Sequence, residues 1–232
     1  MGFLSFFNRK PAGPVSPAVR EVLFGDVPVL EWPRPDAPHR QEPPWSLFAA
    51  AQDAYRSGDA AAAIAALQQV LDTPGLESRH YLQAWHFLRT LGVAPSSDEA
   101  RRVLGVVVEV SLPEGLDLVV AYADLTARYY NHSGAGVVWE MGNDLADAPI
   151  QNLLAAGQTV VNVIGPSQEA RRAAPPTGHV RVNSLTAGGL YFGEGPFNTL
   201  FNDPLASPVI AGGLALMQAL IAYQAENPPA EK

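Results

Sequence analysis

Apolar positions recur with two different periods along this chain, and the period changes near position 103. Upstream, Leu47, Ala51, Ala54 and Tyr55 fall at helical spacing and predict a helix over 45–57. Ala63, Ile64, Leu67, Val70 and Leu71 predict a second over 59–72, and Tyr81, Leu82, Trp85, Leu88 and Leu91 a third over 78–91 that stops at Gly92. Ser96 or Ser97 with Glu99 reads as a capped short helix reaching about Leu104. Downstream, Val106, Val107, Val108 and Val110 form an almost continuous β-branched run broken only by Glu109, the pattern of a strand covered on both faces. A turn at Pro113-Glu114-Gly115 follows. Leu118, Val120 and Tyr122 then alternate with Val119, Ala121 and Ala123 up to a tight turn at Asp124. Thr126 to His132, a turn at Ser133-Gly134, and Gly136 to Glu140 complete an antiparallel meander of four strands.

Beyond the meander, Asp147 stands where it can cap a helix with Pro149 in its first turn, and Ile150, Leu153, Leu154, Val161 and Ile164 give that helix one apolar face for the sheet. Residues 167–177 read as a polar loop, and strands are expected at about 179–186 and 190–193. The segment 193–208, rich in Gly, Pro and Asn, reads as a loop presenting Phe197 and Phe201 outward. Ser207-Pro208 opens a last helix that buries Ile210, Gly213, Leu214, Met217, Leu220 and Ile221. Gly212 and Gly213 inside it each cost about 1 kcal/mol against alanine, which calls for close contact with another backbone.

The front of the chain has a different texture. Nine prolines lie between Pro11 and Pro44, too many for a strand ladder or a helix interior. The segment reads as an extended arm laid along the body through Val22-Leu23-Phe24 and Val27 to Trp32, with a short helix near 19–24. The organisation expected is a Pro-rich arm over 1–44, a helical part over 45–102, an α+β domain with an antiparallel sheet over 103–226, and a tail over 227–232.

Within the helical part, Ala51, Tyr55, Gly58-Asp59, Ala63, Leu67, Leu71 and Pro74 give two helices whose small residues allow close approach and whose Gly-Asp makes the turn. Over residues 47–74 this resembles one tetratricopeptide repeat, with Leu67 where an aromatic is common. The resemblance implies a helical hairpin and a role in protein–protein interaction.

Composition narrows the chemistry. A net charge of −8 with scattered basic residues offers no footprint for a nucleic-acid backbone. With no cysteine, thiolate zinc sites, iron–sulfur clusters and cysteine nucleophiles are excluded. The N-terminus MGFLSFFNRK has its basic residues after a short apolar run, the reverse of a signal peptide, so a cytoplasmic location is the expectation. Phe3, Leu4, Phe6 and Phe7 give it an apolar side that packs on the domain or serves as a peripheral membrane anchor; with Arg9 and Lys10 as its only basic help, the membrane reading is not favoured.

Asn131-His132-Ser133-Gly134 sets a histidine beside a serine, with Asp124 and Glu140 near in sequence. These are the candidate catalytic groups, although neighbours on a strand point to opposite faces. The five histidines, at 39, 80, 86, 132 and 179, are dispersed, and His80 and His86 sit about 120° apart on one helix, so neither a metal nor another cofactor is called for. Gly193-Glu194-Gly195-Pro196 has a proline where a phosphate loop needs an N–H. The candidate binding residues are Tyr129, Tyr130, His132, Glu140 and Phe197, aromatic and polar groups of the kind found at interfaces.

The expected function is a non-enzymatic protein–protein interaction or regulatory module, its partner another protein or a second copy. The alternative is a small-molecule sensor or hydrolase-like enzyme with a pocket near His132, Glu140, Asp124 and Glu194, which requires those side chains to converge.

Overall fold

The structure is a computed structural model that describes residues 17–37, 39–140 and 145–227. Its centre is β1 (Val103–Leu112), which pairs antiparallel with β2 (Gly115–Tyr122) on one side and β5 (His179–Thr186) on the other. β3 (Ala127–Tyr130), β4 (Gly136–Trp139) and β6 (Gly189–Pro196) complete a six-stranded antiparallel sheet of order β4-β3-β2-β1-β5-β6. The chain is therefore α+β. The valine run explains the central position, because alternate residues point to opposite faces and both faces of β1 are apolar. Val106 and Val108 look one way, and Val107 looks the other.

The Val106 face is covered by two long helices, α6 (Asp147–Val163) and α8 (Ala206–Glu226). Ile150, Leu153 and Val161 from α6 and Ile210, Leu216 and Leu220 from α8 fill the space above Val108, Val119, Val180 and Val182. Close approach needs glycine there: a Cβ on Gly157 would stand 2.4 Å from Val106 Cγ2, and one on Gly213 3.0 Å from Val108 Cγ2. The crowding that the paired glycines predict is thus real, but at Gly213 it comes from a side chain, and at Gly212 the nearest atom, Leu153 Cα, lies at an ordinary 3.4 Å.

The Val107 face is covered by α1 (Pro17–Phe24) and α4 (Ser78–Thr90), which bring Leu23, Phe24 and Leu82 onto Leu104, Val107, Val120, Tyr122 and Leu185. α4 also closes a second core with α2 (Trp45–Ser57) and α3 (Ala60–Asp72), where Phe48, Leu67, Phe87 and Leu88 are fully or almost fully buried. The α2–α3 turn follows its sequence: Gly58 adopts the left-handed conformation at φ 78°, and the Asp59 carboxylate accepts a hydrogen bond from Ala62 N–H as the N-cap.

The arm is tied down along this helical part. Gln83 grips Val27 from both sides, accepting its N–H and donating to its carbonyl at 2.8 Å, and Gln52 donates to Val29 O at 2.9 Å. Trp32 packs on Phe48 and Trp45 at centroid distances of 4.4 and 4.9 Å. Gly25, at φ 62°, passes where a Cβ would come 2.8 Å from Leu82 Cβ. The segment Phe3–Phe7 lies outside the described residues.

Several local expectations are corrected. In α8 the cap position is Leu205, not Ser207, and Ile221 is 44% exposed, not buried. The short helix α5 (Ser97–Arg101), capped by the Ser96 side chain, ends before Leu104 because Val103 already pairs with Thr186. Asp147 lies in the first turn of α6, and the cap position is Ala146. The segment after Gly193 is not a loop: β6 continues to Pro196, then α7 (Phe197–Phe201) begins. Gly193 and Gly195 are held in the strand by pairing with Val182 and Val180.

Candidate functional site

The candidate catalytic groups lie at different ends of the sheet. His132 follows β3, and its partner is Asp117 on β2, not Asp124 or Glu140. Asp117 Oδ1 accepts the His132 backbone N–H at 2.7 Å and lies 3.4 Å from Nδ1, and Oδ2 accepts the Tyr129 hydroxyl at 3.1 Å. Burial, and after it the adjacent Asp117 charge, push Tyr129 up to about 12. Asn131 Oδ1 takes Ser133 N–H, the Ser133 hydroxyl and Ala135 N–H, so the serine is spent on shaping the hairpin turn and is not aimed at His132.

Asp124 sits in the turn past the other end of β2, and the strand from Asp117 to Tyr122 alone spans about 17 Å by rise per residue. There it accepts Thr126 N–H and Oγ1–H and the N–H of Ser78, joining the β2–β3 turn to the start of α4. Glu140 is exposed just past β4. Glu194 lies on β6, four strand spacings or about 19 Å across the sheet from β3. The convergence required of a pocket built on His132, Asp124, Glu140 and Glu194 is absent. Tyr130 faces the opposite side of the sheet from Tyr129, packed with the α1 and α4 cluster, where burial raises its pKa. Phe197 is half-buried on α7 and stacks on Phe201 at 5.6 Å.

A second polar group, unforeseen from sequence, is far more buried. The strand register sets Glu109, Arg181 and Glu194 in one row across β1, β5 and β6. The Glu109 side chain has no exposed surface, and Arg181 keeps 3%. Arg20 of α1 donates to Glu109 through Nε at 2.5 Å and Nη2 at 3.2 Å, Arg181 Nη1 lies 3.3 Å from Oε2, and Asn183 Nδ2 donates to Oε2 at 3.2 Å. Arg181 also pairs with Glu194 and donates to Ala173 O at 2.7 Å, while Arg20 donates to Arg172 O at 2.9 Å. With Arg171 clasping Asp26 at 2.6 and 2.9 Å, these bonds fasten the loop 165–178 and α1 over one end of the sheet. Every oxygen of Glu109 is occupied by this chain's own donors, which makes the group a clamp with no place for a substrate.

Among the described residues, the best-formed hollows are small. The two best-formed hollows, one between Phe24, Arg89 and Leu190 and one between Trp32, Trp45 and His80, each hold about 40 Å³, against the roughly 300 Å³ or more of a small-molecule site. Among the described residues, no group of three or more His, Asp or Glu is placed to hold a metal ion.

The outer surface of the α6–α8 layer is the remaining distinctive feature. From Ala148 to Gln168 and from Pro204 to Ala225 the chain contains no charged residue. Ala155, Thr159 and Asn162 of α6 and Ala211, Ala215 and Ala222 of α8 are exposed there, flanked by Val163 at 62% and Ile221 at 44%. A helix lying on a soluble core ordinarily carries its charges on the outer face. By length and composition α8 also passes as a membrane-crossing helix; a third of its apolar window is buried, with Ile210, Leu216 and Leu220 inside on the sheet. Comparison of the chain with protein-family models, with curated proteins and with solved structures found no match.

Proposed function

We propose that this protein is a non-enzymatic interaction module whose working surface is the outer face of α6 and α8. The observation that carries the reading is two packed helices that carry no charged side chain between Ala148 and Val163 or between Ala206 and Ala225, on a chain with a net charge of −8. A surface without charges sheds its water at lower cost than a charged one, its alanines let another backbone approach closely, and depletion of charge is the compositional mark of interface centres. The resemblance of residues 47–74 to a tetratricopeptide repeat favours the same class of role. The buried clamp around Glu109 and the pinned arm hold the sheet as a rigid platform for the two helices.

The test is a photo-crosslinking amino acid placed at Ala215 on α8, with Asp72 on α3 as control, in the cells that make the protein. Products heavier than the chain are expected from position 215 and not from position 72. Position 215 yielding no product, or both positions yielding the same ones, would refute the reading.

A further inference from the structure

We infer that the occupant of this face is a second copy of the same chain, packed α6–α8 layer to α6–α8 layer about a two-fold axis. This rests on the interaction reading above and adds the partner's identity. The argument starts from charge. Two copies each carrying −8 repel wherever their charged surfaces meet, and the α6–α8 face is where that repulsion is smallest, because its helices carry charge only at their ends, Asp147 and Glu226. A different partner would meet charge complementarity on the rest of the surface, but this face has none to offer, so a surface equally neutral is its natural complement.

Size agrees. At 1.5 Å per residue the 17-residue α6 and 21-residue α8 are about 26 and 32 Å long, and two helices side by side are about 20 Å wide. The footprint is then roughly 560 Å² on each copy, or about 1,100 Å² for the pair, just above the roughly 1,000 Å² that separates specific interfaces from incidental contacts. Helix-on-helix packing of this kind needs small residues at the crossing, and alanines 211, 215 and 222 supply them, while Val163 and Ile221 at the flanks add apolar area. An interface this small gives a dimer of modest affinity that forms as concentration rises.

In a two-fold interface the same patch serves both copies, so a charge placed near the middle of the face meets itself. Ala215 lies at the middle of the 21-residue α8 and is exposed, and both glutamate and lysine are good helix formers there. Sedimentation velocity of the full chain from about 1 to 200 μM should show a monomer–dimer equilibrium. Ala215→Glu and, separately, Ala215→Lys should each weaken it at least tenfold, with Thr159→Glu on α6 doing the same. Mixing the Glu and Lys variants at position 215 should restore the dimer. A wild-type chain that stays monomeric throughout, variants that dimerise unchanged, or a mixture that stays monomeric would overturn the proposal. Crosslinks from position 215 to a chain of different mass would overturn it too, while leaving the interaction reading in place.

Discussion

Replacing Glu109 by glutamine tests the clamp at its centre. The amide has the carboxylate's shape, so packing is kept and only the charge and one acceptor are lost. Arg181 retains Glu194 and the carbonyl of Ala173. Arg20 retains only Arg172 O, at 8% exposure, and the new NH₂ faces donors on Arg20, Arg181 or Asn183 whichever way it turns. Breaking a buried pair from one side costs about 3–5 kcal/mol, because a guanidinium is left desolvated without its counter-charge. For a domain of this size about 2–4 °C of melting temperature goes with each kcal/mol, so Glu109→Gln should melt roughly 6–20 °C below wild type. Urea unfolding followed by tryptophan fluorescence supplies the free energy, and hydrogen exchange should show α1 amides losing protection first, since Arg20 is the side chain stranded. The double variant Arg20→Met with Glu109→Met should lose less than Glu109→Gln alone, because removing both partners strands no charge. A loss below about 1 kcal/mol for Glu109→Gln, or a double variant worse than the single, would refute the account of this group as a buried counter-charge clamp.

Three further outcomes follow from the structure. His80 is buried with Nδ1 unbonded and its ring edge-on to Trp45 at 5.3 Å; burial first of all, opposed by Glu77, holds its pKa below the ordinary value, and burial does the same to His86. A histidine whose folded pKa is depressed contributes stability that is present above the unfolded value of about 6.5 and lost as pH falls through the folded one. Urea midpoints should therefore drop from pH 7 to pH 5 with a shallower slope in His80→Phe, an unchanged slope counting against the assignment. Gly212→Ala should stabilise by about 0.5–1 kcal/mol, since helix propensity improves and the new methyl meets Leu153 at 3.4 Å, while Gly157→Ala, 2.4 Å from Val106 Cγ2, should destabilise by about 1–3 kcal/mol; thermal melts that rank them the other way would refute the packing described. The dimer should tighten as salt rises from about 0.01 to 0.15 M, because screening over a Debye length that shrinks from roughly 30 to 8 Å relieves repulsion between two chains of charge −8, whereas a charge-matched complex would loosen.

What the sequence shows and what it hides divide along physical lines. The meander was legible because period-two alternation and turn residues are local, and so were the helix pair and α4. The partners of Glu109 were not: Arg20 and Arg181 lie 89 and 72 residues away, the register of β1 on β5 bringing in Arg181 and the packing of α1 on the sheet bringing in Arg20. The single sequence signal was the break in a valine run, a charge in a strand that otherwise reads as buried on both sides, which already demands a buried cation from somewhere. His132 shows the opposite error. Asp124 and Glu140 are near His132 along the chain, but pairing of Leu118 with Tyr130 puts Asp117 beside the residues that follow β3. β6 read as a loop because Gly and Pro weaken strand propensity, yet an edge strand tolerates both when Glu194 is tied to Arg181 and Gly195 receives Leu200 of α7.

The α6–α8 face was legible in part, since Ile221, expected in the core, is 44% exposed, and the face is informative for what it lacks. The spacing that assigns Ile150, Leu153 and Val161, or Ile210 and Leu220, to the core also assigns Ala155, Thr159, Ala211 and Ala215 to the outside. A solvated outer face would be expected to carry some of the chain's 38 charged residues, and neither helix places one between its ends. On the other side of the sheet, Arg20, Arg181, Arg171 and their carboxylates hold α1 and the 165–178 loop. One face of the sheet is thus closed by an apolar cluster and ion pairs within the chain, and the other ends in a neutral helical surface that is exposed among the described residues. That asymmetry is why the search for a partner belongs on α6 and α8 and not at the histidine.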